Sequence, residues 1–263
     1  MKKYLFIFKS EVMSNLQYVT NIFVGFIGCF IILFIFLNLW QYIYSNPNEI
    51  INGYTMNQMI WYVIFTEVIW SVLSGRRFSA RICEDVKAGN IAYNINKPYN
   101  YIGYCLSQHL GACAVRSAIY ILLGLAVGFI FLHSFPHLTI INIIAIFITY
   151  ILSLIISILL ITSISLISFF IEDASPLYWL YSKFILILGI IFPIEFFPLW
   201  ARRILKYSPI YVVCYGPAKL FVNFSWNNFI IVLISQILYV IVSYIICSLL
   251  YRKGVRKLNV NGG

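Results

Sequence analysis

The sequence predicts an all-α integral membrane protein with six transmembrane helices. An amphipathic helix precedes the first, and short re-entrant helices sit on the outer side before the last. Three observations lead there. Hydrophobic residues make up 62% of the 263 residues and charged residues 10%, with a mean hydropathy of +0.91; a soluble domain is about 45–50% apolar and about 25% charged. The apolar residues gather into runs long enough to cross roughly 30 Å of hydrocarbon as helices. Lys and Arg concentrate at the N-terminus, in one long central interval and in the tail, which places those three in the cytoplasm. Residues 1–263 therefore read as a single transmembrane domain.

Residues 2–17 carry Tyr4, Leu5, Phe8, Val12 and Leu16 near a 3.6-residue period, with Lys9, Ser10, Glu11 and Asn15 elsewhere. That pattern suits an amphipathic helix on the inner membrane surface or an extension of the first span. Its polar residues interrupt the run too often for a signal peptide, so the segment is expected to be retained. The expected spans are residues 19–44, 56–73, 108–132, 138–171, 177–193 and 228–250. Residues 45–55, broken by Pro47 and Gly53, and residues 133–137, broken by Pro136, hold no Lys or Arg and read as external. Glu172, Asp173, Ser175 and Pro176 make a cytoplasmic turn, and Arg252, Lys253, Arg256 and Lys257 mark a cytoplasmic end.

Residues 193–226 contain Pro193, Pro198, Pro209 and Pro217, a spacing that forbids one continuous helix. Short helices that dip into the outer leaflet, packed against protein, fit it. Arg202, Arg203, Lys206 and Lys219 in this interval oppose the charge rule. An even span count with both termini inside keeps it external.

The longest polar interval with charges of both signs is residues 76–98, RRFSARICEDVKAGNIAYNINKP. Its five basic residues (Arg76, Arg77, Arg81, Lys87, Lys97) outnumber Glu84 and Asp85. It must lie in water, and its chemistry suits contact with a soluble partner. Inside the spans, Glu67 and Arg116 each fall about 12 Å from the cytoplasmic edge, at 1.5 Å per residue. They predict an intramembrane pair, either a packing-locked ion pair or a polar patch lining a route. Lys183 is expected to snorkel to the cytoplasmic surface.

Several chemistries are excluded. No Gly-Lys-Ser/Thr occurs, so the chain has no P-loop and any ATP must be bound by another chain. Leu73-Ser74-Gly75 resembles the start of an ATPase signature but abuts a span. The three histidines, His109, His133 and His137, lack acidic neighbours and read as interfacial polar residues. The six cysteines form no C-x-x-C and read as small buried hydrophobes. No RNA-binding motif accompanies the net charge of +10, so nucleic acid is not an expected partner; membrane lipid is. Asn223-Phe224-Ser225 is a lone glycosylation match.

The run Glu84-Asp85-Val86-Lys87-Ala88-Gly89-Asn90-Ile91-Ala92-Tyr93, followed by Asn96-Lys97-Pro98 after the second of six spans, resembles permeases of the type 2 ABC exporter family. So does the Pro-rich interval with Phe192-Pro193, Phe197-Pro198-Leu199-Trp200 and Ser208-Pro209 before the last span. The resemblance implies that residues 1–17 form a connecting helix. It implies that residues 76–98 hold a coupling element, with Glu84, Asp85, Lys87, Gly89 and Asn90 meeting an ATPase subunit. Residues 193–226, with Pro193, Glu195, Pro198 and Pro209, would cap the pathway externally. It further implies a second permease chain, identical or paralogous, no cofactor in this chain, and ATP with Mg held by the partner ATPase. Export of hydrophobic or amphipathic cargo such as peptide, lipid or drug follows, from a cell membrane of the bacterial plasma-membrane type. A secondary transporter would instead need coupling-ion carboxylates at mid-bilayer, where Glu67 alone partly qualifies. A membrane-embedded lipid-modifying enzyme would need His, Asp or Glu clusters.

The orientation is directly testable. Single cysteines at Ser45 and Phe135, in a cysteine-free background, should label from outside intact cells, and one at Asn90 should not. External labelling at Asn90 would overturn the orientation.

Overall fold

Helix α1 (Lys2–Gln17) ends at Tyr18, and α2 (Val19–Ile43) begins the membrane-length helices. A hairpin of β1 (Ile50–Ile51) and β2 (Tyr54–Thr55) leads into α3 (Met56–Leu73). The chain then passes through Gly75 into α4 (Arg76–Lys87) and the short α5 (Ile91–Ile95). The remaining helices are α6 (Tyr101–Leu132), α7 (Ile140–Leu166), α8 (Ser175–Ile185), α9 (Leu199–Lys206), α10 (Gly216–Val222) and α11 (Trp226–Asn261). This computed structural model describes residues 2–44, 46, 49–73, 75–136 and 138–261. The expected loop positions Ser45 and Pro47, and His137 in the second turn, lie outside them.

Among the described residues, five helical stretches are long and apolar enough to cross a membrane: Val24–Ile43, Met56–Lys87, Tyr101–Leu132, Ile140–Phe169 and Trp226–Lys257. The expected fifth span corresponds to the shorter stretch Ser175–Ile191. Two features shorten it. Leu186–Ile191 relaxes into a π-helix, and Phe192 is forced into extended backbone (φ −127°, ψ 133°) by the proline that follows. The expected third span starts at Gln108, but α6 starts at Tyr101, where the Asn100 side chain accepts a hydrogen bond from the Gly103 N–H (3.1 Å) and caps it. The expected last span stops at Leu250, but α11 continues through the basic tail.

Residues 50–55 are not an irregular loop. Asn52 and Gly53 both have positive φ (51° and 85°), the turn geometry that Asn-Gly supplies for a two-residue hairpin. Ile51 pairs with Tyr54 and Ile50 with Thr55.

Helix α3 forms the centre. Met59 to Ile64 and Thr66 to Ile69 are all buried. Helix α2 covers it with one stripe, Cys29, Leu33, Leu37, Trp40 and Tyr44, while Val24, Ile31, Phe34 and Ile35 face outward. Helix α6 approaches through Gly124 and Gly128, a G-x-x-x-G pair; a Cβ on Gly128 would stand 2.3 Å from the Trp61 ring. Helix α1 packs along the first half of α6, and its outer face leaves Leu5, Phe6, Met13 and Leu16 exposed.

After Pro193 the chain makes a helical hairpin. Helix α9 turns Leu199, Trp200 and Ile204 outward, as an interfacial helix does. The chain then reverses at Tyr207–Ser208. The next segment, the π-helix Tyr211–Tyr215 continuing into α10, buries Val212, Val213, Cys214, Ala218 and Leu220 against α3, α7 and α11.

Side chains from neighbouring helices meet carbonyls that both π-helical stretches leave open. Tyr62 OH donates to Gly189 O (3.0 Å) and Thr66 Oγ1 to Ile190 O (3.1 Å), serving carbonyls of the first π-helix. Gln236 Nε2 donates to Val212 O (2.8 Å), serving the second, and also to Thr149 O of α7 (2.9 Å).

The α3–α6 contact makes a stability prediction. Gly128→Leu should destabilise the fold by about 1–3 kcal/mol through overpacking. Gly28→Leu, where an added Cβ meets nothing within 4 Å, should be near neutral. Denaturant unfolding in detergent measures both.

Candidate functional site

The charged interval 76–98 is an amphipathic helix with a tip, not a solvated loop. In α4, Phe78, Ile82 and Val86 recur at helical spacing and are buried, while Arg76, Arg77, Glu84 and Lys87 are exposed. The buried face meets Ile158, Leu166 and Phe169 from the end of α7. Further contacts fix the helix to α6, α7 and the turn after α7. Ser79 Oγ lies 2.8 Å from Ser165 Oγ, Arg81 Nη2 donates to Gln108 Oε1 of α6 (2.6 Å), and the Phe78 ring stacks on His109 at 4.3 Å. Lys87 Nζ pairs with Asp173 Oδ1 (3.4 Å) in the turn between α7 and α8.

Helix α4 ends at Ala88, and Gly89 adopts φ +72°, the left-handed conformation that glycine adopts without Cβ strain. The corner that results, Glu84, Lys87, Gly89, Asn90 and Tyr93, is exposed, with Tyr93 70% accessible. The structure thus brings together four of the expected coupling residues and adds Tyr93. Asp85 departs from the expectation. It is half-buried, and burial raises its carboxyl pKa while Arg81, four residues back, lowers it. Asp173 titrates in the opposite direction: the Ser175 N–H and then Lys87 hold it below its ordinary value. Its contribution is therefore present above the ordinary carboxylate range and is lost as pH falls through the lowered value.

The expected Glu67–Arg116 ion pair is corrected. Glu67, 1% exposed, accepts from Ser71 Oγ (3.3 Å) through Oε1, and its Oε2 has no hydrogen-bond partner. Arg116 Nη1 instead donates to Val72 O (3.3 Å). The physical reason is the C-terminus of α3. Its last carbonyls lack intrahelical partners and carry the negative end of the helix dipole. Arg116, Cys113 Sγ (3.6 Å, also to Val72 O) and His109 Nε2 (3.3 Å from Leu73 O) supply the contacts from α6. A guanidinium so placed has a structural reason to lie within a span. His109 is correspondingly buried, not interfacial.

Glu67 lines a cavity of about 890 Å³ between α2, α3, α7 and α8. Ser71, Tyr120, Ser157 and Tyr181 add hydroxyls to its wall, and Lys183 stands at its edge with Asp173. The cavity is a mainly apolar cleft with these polar groups set into its wall.

The opposite end of the bundle holds a closed polar cluster. Glu195 Oε1 accepts from Tyr215 OH (2.5 Å) and pairs with Lys219 Nζ (3.1 Å); its Oε2 accepts from Tyr54 OH (3.1 Å). Lys219 also donates to Tyr54 OH (2.9 Å), and Tyr44 OH donates to Tyr54 O (2.9 Å). Arg202 donates to the carbonyls of Glu195 (2.7 Å) and Phe197 (3.2 Å). Pro193 and Pro198 fix the two ends of the short helical turn that carries Glu195, and Pro209 opens the returning arm. Two of the four basic residues that break the charge rule, Arg202 and Lys219, are thereby spoken for. The cluster fastens the β-hairpin, the Pro-rich turn and α10 together.

A double-mutant cycle tests that fastening. Glu195→Gln alone leaves Lys219 without its carboxylate and should cost more stability than Glu195→Gln combined with Lys219→Met. The coupling energy should fall at about 0.5–3 kcal/mol. Strictly additive losses, read by unfolding in detergent, would show the pair to be energetically idle.

Residues 13–262 match the family described as ABC-2 family transporter protein. No curated protein matches the chain. The match runs from the middle of α1 to the end of α11 and takes in the α4–α5 corner, the cleft and the far-end cluster. The chain, a multi-pass membrane protein, belongs to the ABC-2 transporter family and is the membrane component of an ABC transporter.

Proposed function

We propose that this chain is the permease subunit of an ABC exporter whose ATP, with Mg, is bound and hydrolysed on a separate ATPase subunit. The carrying observation is the α4–α5 corner: an exposed, charged and aromatic tip on a helix packed on α7 and tied to α6 and the α7–α8 turn. A soluble partner that displaces this tip moves those helices as a body, because α4 has no slack with respect to any of them. Tyr93 is the natural anchor, since large exposed aromatics carry much of the energy of protein interfaces. Glu84, Lys87 and Asn90 around it supply charge and hydrogen bonds. This face lies in the cytoplasm, with both termini.

In this reading the cleft under α2 and α8 lies on the route of the cargo. Its volume suits one drug-sized or amphipathic group, and Glu67, Ser71 and Tyr120 give it polar contacts. A second permease chain, identical or paralogous, completes the pathway. The Glu195–Lys219–Tyr54 cluster holds the outer cap shut from the other side. Co-purification with an ATPase subunit separates this reading from a secondary transporter or an embedded enzyme.

Variants at the corner provide the test. Gly89→Val places a β-branched residue at φ +72°, a strain of about 1–3 kcal/mol confined to the tip. Glu84→Lys and Tyr93→Ala alter exposed side chains alone. All three should insert normally, and the first and third should each lower recovery of the ATPase partner, or its transport-stimulated ATP turnover, by at least tenfold. Normal partner recovery and transport in the combined variant would reduce the corner to a passive turn.

A further inference from the structure

A second cavity, about 590 Å³, lies between α1, α4 and α6 on the α4 side of the bundle. Its charge is one-sided. Arg76, Arg77, Arg81 and Arg116 line it, against the single carboxylate of Glu11. That carboxylate is already engaged: Glu11 Oε2 accepts from Gln108 Nε2 (3.1 Å) and Oε1 from Asn15 Nδ2 (3.1 Å). Neither of the ion pairs among the described residues involves Arg76, Arg77 or Arg81. Arg81 does reach Gln108, which leaves a chain from Arg81 through Gln108 to Glu11 at the back of the pocket.

The depth and surroundings of the pocket indicate what could balance this charge. Tyr18 and Gly25, at the α1–α2 junction, form one wall. On either side of that junction Leu16 of α1 and Val24 of α2 are exposed and apolar. The arginines stand where α3 ends and α4 begins, at the level of the inner headgroups in the orientation given above. An arginine cluster at that depth, beside a lipid-facing opening, has the charge and the planar donors that phosphate needs. The geometry points to a binding site for a phosphate group, held by Arg76, Arg77 and Arg81 and presented by the headgroup of an anionic phospholipid or by free phosphate. Phosphate recognition itself does not depend on the proposed export function; only the assignment to the inner leaflet rests on that orientation.

The test uses the purified full-length chain in neutral detergent, probed with phosphatidylglycerol, phosphatidylcholine and inorganic phosphate. Bound lipid is counted by native mass spectrometry and thermal stability is followed in parallel. Phosphatidylglycerol should be retained and should raise the melting temperature, and phosphatidylcholine should do neither. Each of Arg77→Gln and Arg81→Gln should weaken binding about fivefold, as loss of one cation near an anionic surface does. Glu11→Gln keeps an acceptor for one of its two bonds, removes the one negative charge and should tighten binding. This opposite sign cannot come from a folding defect. Stabilisation by phosphatidylglycerol beyond that by inorganic phosphate assigns the lipid; equal stabilisation assigns free phosphate. Equal retention of the two lipids with no response to inorganic phosphate, or binding indifferent to Arg77→Gln, Arg81→Gln and Glu11→Gln, would overturn the proposal. So would loss of the ATPase partner in the arginine variants with lipid binding unchanged, which would assign the patch to a protein contact.

Discussion

Helix α3 has almost no surface of its own, and that constraint organises the molecule. A buried helix must satisfy its own ends and can also satisfy its neighbours, because most of its length is shielded from water. Its C-terminal carbonyls, Val72 O and Leu73 O, take donors from Arg116, Cys113 and His109 of α6. Its hydroxyls, Tyr62 and Thr66, donate to the carbonyls that the π-helix after α8 leaves open. Remove α3 and both the α6 arginine and the broken fifth helix lose their partners. The π-helix is tolerated because the helix beside it carries two hydroxyls at the right height.

This dependence explains what the sequence reveals and what it conceals. Periodicity and hydropathy place α1, α2 and α3 within a residue or so of their observed ends, because those signals depend on local spacing alone. The role of Arg116 is hidden for the opposite reason. Its acceptor is a backbone carbonyl on another helix, and nothing in residue identity marks a carbonyl as free. Charge arithmetic alone therefore sends Arg116 to Glu67, the nearest opposite sign. Lys219 shows the complement. Its positive charge on the proposed outer side looks like a breach of the topology rule, yet Glu195, 24 residues away in the chain, stands 3.1 Å from it. Charge rules govern which loops cross a membrane; they do not govern a lysine already neutralised in a folded cluster.

Two signals were present in the letters and informative once the fold is known. Asn52-Gly53 between short apolar pairs is a strong local hairpin signature, and the hairpin positions Tyr54 for Glu195. Gly124 and Gly128, four residues apart, mark the face on which α6 meets α3. In both cases a small residue matters for what approaches it, which composition and span counting do not register. The interval 76–98 is the reverse case. Its polarity is plain, but the 3.6-residue recurrence of Phe78, Ile82 and Val86 decides that it is a packed helix.

That recurrence bears on how force could enter the bundle. A partner can shift a conformational equilibrium only by its differential affinity for the two states. A floppy loop would absorb such a difference in its own rearrangement, since a flexible segment takes up displacement at little cost. Helix α4 cannot do so: Ser79 is held to α7, Arg81 to α6 and Lys87 to the α7–α8 turn. The exposed ion pair Lys87–Asp173 adds little energy by itself. The burial of Phe78, Ile82 and Val86 supplies the stiffness, and the ion pair fixes the register of the tip. The chain turns at Gly89, just past the C-cap Ala88, without disturbing the packed face. A rigid helix with its turn placed just outside the packing delivers the movement of its tip to the helices beneath it, and one of them, α7, lines the cleft with Ser157 opposite Glu67 of α3.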